Sequence, residues 1–285
     1  MKLCRFNDDR LGLADASNVL DVTGALDVLP ALRWPAPLGD ALIANLDAVR
    51  GEVERLAPKA DKTDIGSVRL LSPVANPTKV IGAPVNYSNH AAEAKADSGI
   101  HHGKAIKSID EYGLFLKASS ALVGPGEGVA LRFTDRRNDH EAELAVIIGR
   151  RVEKISRDTA MSAIAGYAIG LDMTVRGSED RSFRKSIDSY AVLGPWLVTA
   201  DEIADPGNLD FELSVNGNSR QKSNTSHLIY DIPRLIEYAA SFYTLYPGDI
   251  IMTGTPAGVG PVTDGDVMSV EIQHVGRMEV AVRAA

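Results

Sequence analysis

The chain has 285 residues, 45% of them hydrophobic, which is enough to build the core of one large domain or of a small domain and a larger one. Its net charge of -8 and the absence of any Lys/Arg block argue against a nucleic-acid partner and against attraction to an anionic membrane. Cys4 is the only cysteine, so the sequence excludes an internal disulfide and a cysteine-based zinc site.

The location of the protein is predicted from its apolar runs. The opening MKLCRFNDDRLGLADAS has no hydrophobic segment of the kind found in signal peptides. No later run approaches the roughly 18 apolar residues that span a bilayer. The sequence therefore predicts a cytoplasmic protein without a membrane partner.

Residues 1–75 are predicted to form a small N-terminal domain. Short apolar pieces alternate with turns over the first thirty residues, and DALIANLDAVRGEVERLAP then carries hydrophobic side chains at helical spacing. Pro73 and Pro77 mark a connection. A larger unit, residues 76–285, follows it.

The segment NYSNHAAEAK, just after this connection, is Ala-rich and is predicted to be helical. His90 and Glu93 are three residues apart, so they share one face of such a helix. A carboxylate that orients an imidazole is the usual construction of a general base. On spacing alone, a solvated helix face with an incidental histidine remains the alternative.

Strands dominate the larger unit, and helices are few. The clearest helix is DIPRLIEYAASFYTL, with Ile232, Leu235, Ile236, Ala239 and Phe242 on one face. The predicted strands are Leu114 to Lys117, Glu141 to Ile148, Tyr167 to Met173, Trp196 to Thr199, Phe211 to Val215, Asp249 to Thr253, Val267 to Ile272 and Met278 to Val282.

Two glutamates enter one of these strands in the segment NDHEAELAVIIGR. Side chains alternate along a strand, so Glu141 and Glu143 point to the same face. Two buried carboxylates held side by side need a positive neighbour, and a divalent cation with an Arg or Lys behind it is the simplest one. A strand end with solvent-facing glutamates remains the alternative.

A third carboxylate, Asp172, ends the apolar run of GYAIGLDMTVRGSED. Three acids at strand ends would form an oxygen-rich site, which suits Mg²⁺ or Mn²⁺ better than zinc. Beside Gly170, Asp172 can equally be a turn residue.

Two further segments carry groups that could bind an anion. In RSFRKSIDSYAVLGPW, Lys185, with Arg181 and Arg184 nearby, could hold an anionic substrate or a developing oxyanion, or could lie in a solvated loop. PGDIIMTGTPAGVG is predicted to be a strand followed by a glycine-rich turn whose N–H groups could meet a carboxylate. It lacks the Gly-Lys-Ser/Thr ending of a phosphate loop.

Taken in order, six segments resemble the fumarylacetoacetate hydrolase family over roughly residues 78 to 285. They are NYSNHAAE, FLKASSALVGPGE, HEAELAVIIG, GLDMTVR, RKSIDSYAVLGPWLVT and PGDIIMTGTPAGVG. The resemblance implies a strand-dominated α+β protein with a mixed β-roll or sandwich-like catalytic domain, a small N-terminal domain and a homodimeric assembly.

The resemblance also implies roles for individual residues. Mg²⁺ or Mn²⁺ would be bound by Glu141, Glu143 and Asp172. The catalytic group would be His90, Glu93 and Lys185. Substrate contacts are predicted for Thr255, Arg181, Arg184 and Tyr87.

The predicted reaction is metal-dependent hydrolysis of a C–C bond in a 2,4-diketo acid, which yields pyruvate and a carboxylic acid. The polar segment TVRGSEDRSFRKS favours a hydroxylated or charged tail, such as that of a 2,4-diketo-3-deoxy sugar acid; an aromatic-ring-cleavage product is the rival. An isomerase, hydratase or oxaloacetate-type decarboxylase of the same family remains an alternative. A non-catalytic protein that binds a keto acid, or that is only braced by the metal, is a further one.

Overall fold

The computed structural model describes residues 1–15 and 17–285. Its strands are β1 Lys2–Phe6, β2 Arg10–Ala14, β3 Asn18–Asp21, β4 Lys62–Asp64, β5 Leu70–Leu71, β6 Val80–Gly82, β7 Phe115–Lys117, β8 Leu122–Val123, β9 Val129–Leu131, β10 Asn138–His140, β11 Ala142–Ile148, β12 Ile164–Asp172, β13 Thr174–Val175, β14 Ala191–Thr199, β15 Asp210–Val215, β16 Asn218–Asn224, β17 Ile250–Met252, β18 Gly260–Pro261, β19 Val267–Ile272 and β20 Gly276–Ala284.

The helices are shorter and fewer than the strands. They are α1 Ala41–Ala44, α2 Leu46–Leu56, α3 Ser88–Ala96, α4 Ser98–His101, α5 Ile109–Tyr112, α6 Arg157–Ala160, α7 Arg181–Lys185 and α8 Ile232–Phe242. Short 3₁₀ helices occur at Thr23–Val28, Ala57–Lys59, Ile65–Ser67, Ser119–Ala121, Met161–Ala163, Ala200–Glu202 and Thr225–His227. In the described part of the chain, none of these helices has the length and hydrophobicity needed to cross a membrane.

Within the described residues the strands form sheets of twelve, five and three members. The main path of the largest sheet runs β4-β3-β2-β1-β14-β12-β11-β17-β6-β7, and the other two run β16-β15-β19-β20-β9 and β13-β10-β18. Most pairs are antiparallel, but β17 with β6, β20 with β9 and β14 with β8 are parallel. The prediction of a strand-dominated α+β fold with mixed sheets is confirmed.

Strand β11 lies at the centre of the largest sheet. Every residue of Ala142–Ile148 is buried, and β11 pairs antiparallel with both β12 and β17. A Val/Ile-rich run suits this place because it is covered on both faces and fits the pleated surface. Any acid carried on this strand is therefore brought into the core.

The N-terminal segment joins the same sheet. β1 pairs with β14 through Lys2 opposite Val198 and Leu3 opposite Leu197. Helix α2 covers these N-terminal strands with Val49 and Val53, which are fully buried against a small separate cluster. The domain boundary near residue 75 stays a prediction.

Helix α8 packs against the main hydrophobic core through the apolar face predicted from the sequence. Ile232, Leu235, Ile236 and Ala239 are buried. Phe242, predicted on the same face, is 70% exposed, because the helix ends there and the next residue has an extended backbone.

Candidate functional site: a three-acid centre beside a His–Glu pair

Three buried carboxylates converge where β11 and β12 meet. Glu143 lies on β11, Asp172 ends β12, and Glu141 lies between β10 and β11. The backbone N–H of Asp172 donates to the Glu141 carbonyl at 2.9 Å, which continues the strand pairing by one residue. One carboxylate oxygen from each acid lies within 4.8 Å of the other two. The two glutamates therefore share a face, as the strand spacing predicts.

Two lysines neutralise part of this cluster. Lys185 Nζ donates to Glu141 Oε2 at 2.7 Å and to Asp172 Oδ2 at 2.8 Å. Lys117 Nζ donates to the other Asp172 oxygen. Both ammonium groups are buried, and burial lowers the pKa of Lys117 against the opposing effect of Asp172.

An arginine, Arg176, also binds the acid cluster. Arg176 donates to Glu141 Oε1 at 3.0 Å and to the fully buried Asp139 at 2.7 Å. Although burial acts to raise the pKa of Glu141, the charges of Lys185 and Arg176 hold that pKa well below its usual value. Glu141 is therefore a carboxylate that stays ionised in the core.

Glu143 is the acid that no lysine or arginine reaches within the described residues. Its Oε2 accepts only the Gly254 N–H, at 2.6 Å. Burial, and then the charges of Asp172 and Glu141, raise the pKa of Glu143 well above its usual value.

This donor set fits a divalent cation. The three side chains offer only carboxylate oxygens, which are the ligands that Mg²⁺ and Mn²⁺ prefer, and no thiol or imidazole belongs to the cluster. A cation beside Glu143 would supply the positive charge that this buried carboxylate lacks. The residues that could hold the metal are therefore the three acids predicted from sequence.

Gly254 must be a glycine for Glu143 to keep its hydrogen bond. Its φ of +102° lies in the left-handed region, and an added Cβ would come within 2.7 Å of the Asn86 side chain. The turn after β17 therefore packs closely against Asn86, two residues before helix α3, which carries His90.

His90 lies on α3 and is paired with Glu93. His90 Nδ1 and Glu93 Oε2 are 3.0 Å apart, and Glu93 Oε1 accepts the Gly258 N–H at 2.8 Å. A carboxylate fixed in this way orients the imidazole, and Nδ1 donating to Glu93 leaves Nε2 free to accept a proton. The predicted helix and the i, i+3 contact are both present.

One cavity of about 530 Å³ brings most of the predicted residues together. Its lining includes His90, Glu141, Glu143, Asp172, Arg181, Arg184, Lys185 and Thr255. Glu93 lies behind His90. The structure thus places an imidazole, three acids and several cations around one space.

Tyr87 is the exception. Its side chain is 1% exposed and packs edge-on against Phe211, with ring centroids 6.3 Å apart. It belongs to the hydrophobic core and is not among the residues that line the cavity, so its role as a substrate contact stays a prediction.

Thr255 lines the cavity, but its hydroxyl is engaged by the protein. Its Oγ1 donates to the Ala142 carbonyl at 2.9 Å and accepts from Gln221 Nε2 at 2.7 Å. Gln221 Oε1 in turn accepts the Ala142 N–H at 3.0 Å. This network ties the glycine-rich turn to the strand that carries Glu143.

Sequence reasoning missed Lys117, Arg176 and Gln221. Lys117 and Arg176 each follow an apolar strand-like run, the same signal that marked Asp172. Gln221 gave no signal, because it is a buried polar residue among exposed neighbours on β16. Only the fold brings it to Thr255.

Comparisons with known proteins identify the family of this chain. Residues 79–283 match the family model for the fumarylacetoacetate (FAA) hydrolase C-terminal domain. Maleylpyruvate hydrolase of Aquipseudomonas alcaligenes is 55% identical over 286 residues, which cover 100% of this chain and 100% of that protein. The 2,4-didehydro-3-deoxy-L-rhamnonate hydrolase of Sphingomonas sp. (strain SKA58) is 34% identical over 293 residues, 97% of this chain and 94% of that protein.

A solved structure gives the same result for the fold. Maleylpyruvate hydrolase from Sphingobium sp. SYK-6, crystallised in complex with manganese(II) ion and pyruvate, matches with a TM-score of 0.84 at 40% identity, over 100% of both chains. The family model covers more than half of this chain, and the two relatives align over 100% and 97% of it. The chain belongs to the fumarylacetoacetate hydrolase family.

Proposed function

We propose that this protein is a divalent-metal-dependent hydrolase that cleaves the C–C bond of an acylpyruvate to give pyruvate and a carboxylic acid. The observation that carries the proposal is the cavity in which a three-acid centre faces a histidine held by a glutamate. A metal site alone would serve many reactions of 2-oxo acids. A His–Glu pair beside it supplies the base that hydrolysis requires.

Maleylpyruvate is the first substrate to test. The relative that is 55% identical over the full chain is a maleylpyruvate hydrolase. Its substrate is an acylpyruvate with a charged tail, as the polar segment before Lys185 predicts. The relative that is 34% identical is a 2,4-didehydro-3-deoxy-L-rhamnonate hydrolase, which supports a 2,4-diketo-3-deoxy sugar acid as the second substrate class to test.

In this proposal Glu141, Glu143 and Asp172 hold Mn²⁺ or Mg²⁺. When bound, the cation polarises the 2-oxo group and stabilises negative charge that develops on the pyruvate half. Manganese is supported by the complex of the Sphingobium protein. Magnesium suits the same oxygen donors.

His90 and Glu93 act on water. Glu93 holds Nδ1, so Nε2 takes a proton from a water molecule, and the hydroxide adds to C4 of the substrate. The C3–C4 bond then breaks, with its electron pair passing to C3. The acyl half leaves as a carboxylic acid, and the proton that Nε2 took from water passes to C3, which gives pyruvate.

Lys185 has a donor left for the substrate. Its ammonium has three N–H bonds, of which two are directed at Glu141 and Asp172. The third can donate to an oxygen that gains negative charge, which is the role of an oxyanion donor.

Pyruvate release tests the proposal. We expect the chelated enzyme to be inactive on maleylpyruvate and Mn²⁺ to restore stoichiometric release of pyruvate and maleate, measured with a coupled lactate dehydrogenase assay. If Mn²⁺ raised the melting temperature without any turnover of acylpyruvates or diketo sugar acids, the protein would be a metal-braced or ligand-binding member of the family.

Replacement of Lys185 by Met should lower kcat on maleylpyruvate by about 10² or more, as loss of an oxyanion donor does. The control is Lys222→Met on β16, whose side chain is 78% exposed and which should keep wild-type kinetics. A Lys185→Met enzyme with normal kcat and a changed melting temperature would assign Lys185 to structure alone.

The proposal also includes the homodimer and the cytoplasmic location predicted from the sequence. Sedimentation velocity of the purified protein measures the first. Fractionation of cells that express the full chain measures the second.

A further inference from the structure

The outer wall of the cavity, defined as Lys104, Glu179, Asp180, Arg181 and Arg184, is more exposed than the acid centre and carries cations that the protein leaves without a carboxylate. Arg181 lies over the Tyr112 ring, its guanidinium carbon 4.2 Å from the ring centroid. In the described chain, Arg181 makes no ion pair. Its contacts there are aromatic.

In the part of the chain that the structure describes, Arg184 and Lys104 also lack a carboxylate partner, because their side chains donate to backbone carbonyls. Arg184 donates to the carbonyls of Glu179 and Val175 at 3.1 and 3.0 Å, and Lys104 Nζ donates to Ser178 O at 2.6 Å. Neither has a carboxylate partner among the residues described. Burial lowers the pKa of Arg184, and the neighbouring charge of Arg176 adds to this, so an anion beside Arg184 would be stabilised.

The two acids of the outer wall do not cancel this charge. Both Glu179 oxygens are held by Arg136, at 3.0 and 2.9 Å, so that carboxylate is already neutralised. Asp180 caps α7 by accepting the Ser182 N–H at 2.8 Å. Three cations face one unpaired acid, and the outer wall is positive in a protein whose net charge is -8.

The outer wall lies close enough to the acid centre for one substrate to contact both. Lys185 Nζ and Arg181 Cζ lie 5.4 and 5.6 Å from the centroid of the same ring, Phe115. They are therefore no more than 11.0 Å apart, the sum of those distances. From C4, whose oxygen Lys185 would contact, to the carbon of the terminal carboxylate there are three bonds of about 1.5 Å, a span of roughly 4 Å, and a hydrogen bond at each end adds about 3 Å.

We propose that Arg181, with Arg184 beside it, binds a second carboxylate at the far end of the substrate and makes the enzyme selective for dicarboxylic acylpyruvates. The inference rests on the proposed function, because the 2-oxo acid end must lie at the acid centre. An arginine suits this role because its planar guanidinium can donate two parallel hydrogen bonds to a carboxylate. Stacking on Tyr112 holds that plane in place before the substrate arrives.

The test compares two substrates that are cleaved at the same 2,4-dioxo unit. Maleylpyruvate has the second carboxylate and acetylpyruvate does not. In Arg181→Gln, the ratio of kcat/KM for maleylpyruvate to that for acetylpyruvate should fall at least about ten-fold, because hydrogen bonds to a charged group are lost. Arg181→Lys should recover part of the ratio. Arg55→Gln, an exposed arginine of α2, should keep the wild-type ratio.

A binding measurement separates this inference from the reaction itself. 2-Oxoheptanedioate and 2-oxoheptanoate lack the 4-oxo group that hydrolysis requires, and they differ only in the terminal carboxylate. Calorimetry with the Mn²⁺-loaded protein should show tighter binding of the diacid, and Arg181→Gln should reduce that preference at least about ten-fold.

Equal binding of the two acids by the wild type, or an unchanged preference in Arg181→Gln, would overturn the carboxylate site. Failure of the proposed function has a different signature: no pyruvate is released from either acylpyruvate, while the calorimetric preference still reports on Arg181.

Discussion

Glu143→Gln is expected to reduce kcat on maleylpyruvate by more than about 10² and to weaken Mn²⁺ binding at least ten-fold, because it would remove the charge of one of the three acids proposed to bind the metal. The substitution keeps the size of the side chain. The single hydrogen bond that Glu143 accepts, from Gly254, can be accepted by the amide oxygen. The variant should therefore fold. Steady-state kinetics and calorimetric titration with Mn²⁺ after chelation measure the two effects.

The stability of the metal-free protein provides the control for this prediction. A buried carboxylate without a cation partner is costly, so metal-free Glu143→Gln should melt at or above the temperature of metal-free wild type. Added Mn²⁺ should raise the melting temperature of the wild type more than that of the variant. Glu271→Gln, on an exposed strand position, should match the wild type in every measurement. Normal turnover by Glu143→Gln after Mn²⁺ add-back would place the metal elsewhere.

The sequence predicted the core strands because burial on both faces leaves a simple pattern. The Val/Ile run that ends at Ile148 and the apolar run that ends at Asp172 became β11 and β12, with boundaries shifted by a few residues. Helix α8 was equally clear from its apolar face. The predicted N-terminal helix became two, α1 and α2, because the chain departs from helical geometry at Asn45.

The site was predictable where one strand or one helix carries the whole signal. Glu141 directly precedes β11 and Glu143 lies on it, two residues further, while His90 and Glu93 are three apart on one helix, so local geometry alone brings each pair together. The convergence of both pairs on one cavity could not follow from spacing. It depends on the pairing of β11 with β12 and on the turn at Gly254.

The residues that the sequence did not predict make contacts with partners that are distant in sequence. Lys117 reaches Asp172 across 55 positions of sequence, and Gln221 reaches Thr255 across 34. Arg181 and Arg184 were predicted as anion-binding residues, but the sequence could not show that the Glu179 carboxylate beside them is paired with Arg136. Which charges remain free in a cavity is a property of the folded arrangement.

His90→Ala is expected to lower kcat for acylpyruvate hydrolysis by about 10²–10⁴, the usual contribution of general acid–base catalysis. Binding of Mn²⁺ and of oxalate should be nearly unchanged, because the acids that would hold the metal make no hydrogen bond to His90 in the described structure. Glu93→Gln should be impaired less, since the imidazole keeps one partner able to accept its Nδ1 proton. Single-turnover kinetics and calorimetry with Mn²⁺ and oxalate separate chemistry from binding.

This variant also decides the type of reaction. Hydrolysis needs a base for water, whereas decarboxylation of oxaloacetate needs only stabilisation of the enolate that remains when carbon dioxide leaves. If His90→Ala cleaved acylpyruvates normally, the imidazole would not be the base. If the wild type hydrolysed no acylpyruvate and both proteins decarboxylated oxaloacetate at the same rate, the function would be decarboxylation. Loss of acylpyruvate hydrolysis with oxalate binding retained is the result that a base at Nε2 of His90 requires, because only that step uses the ring nitrogen opposite Glu93.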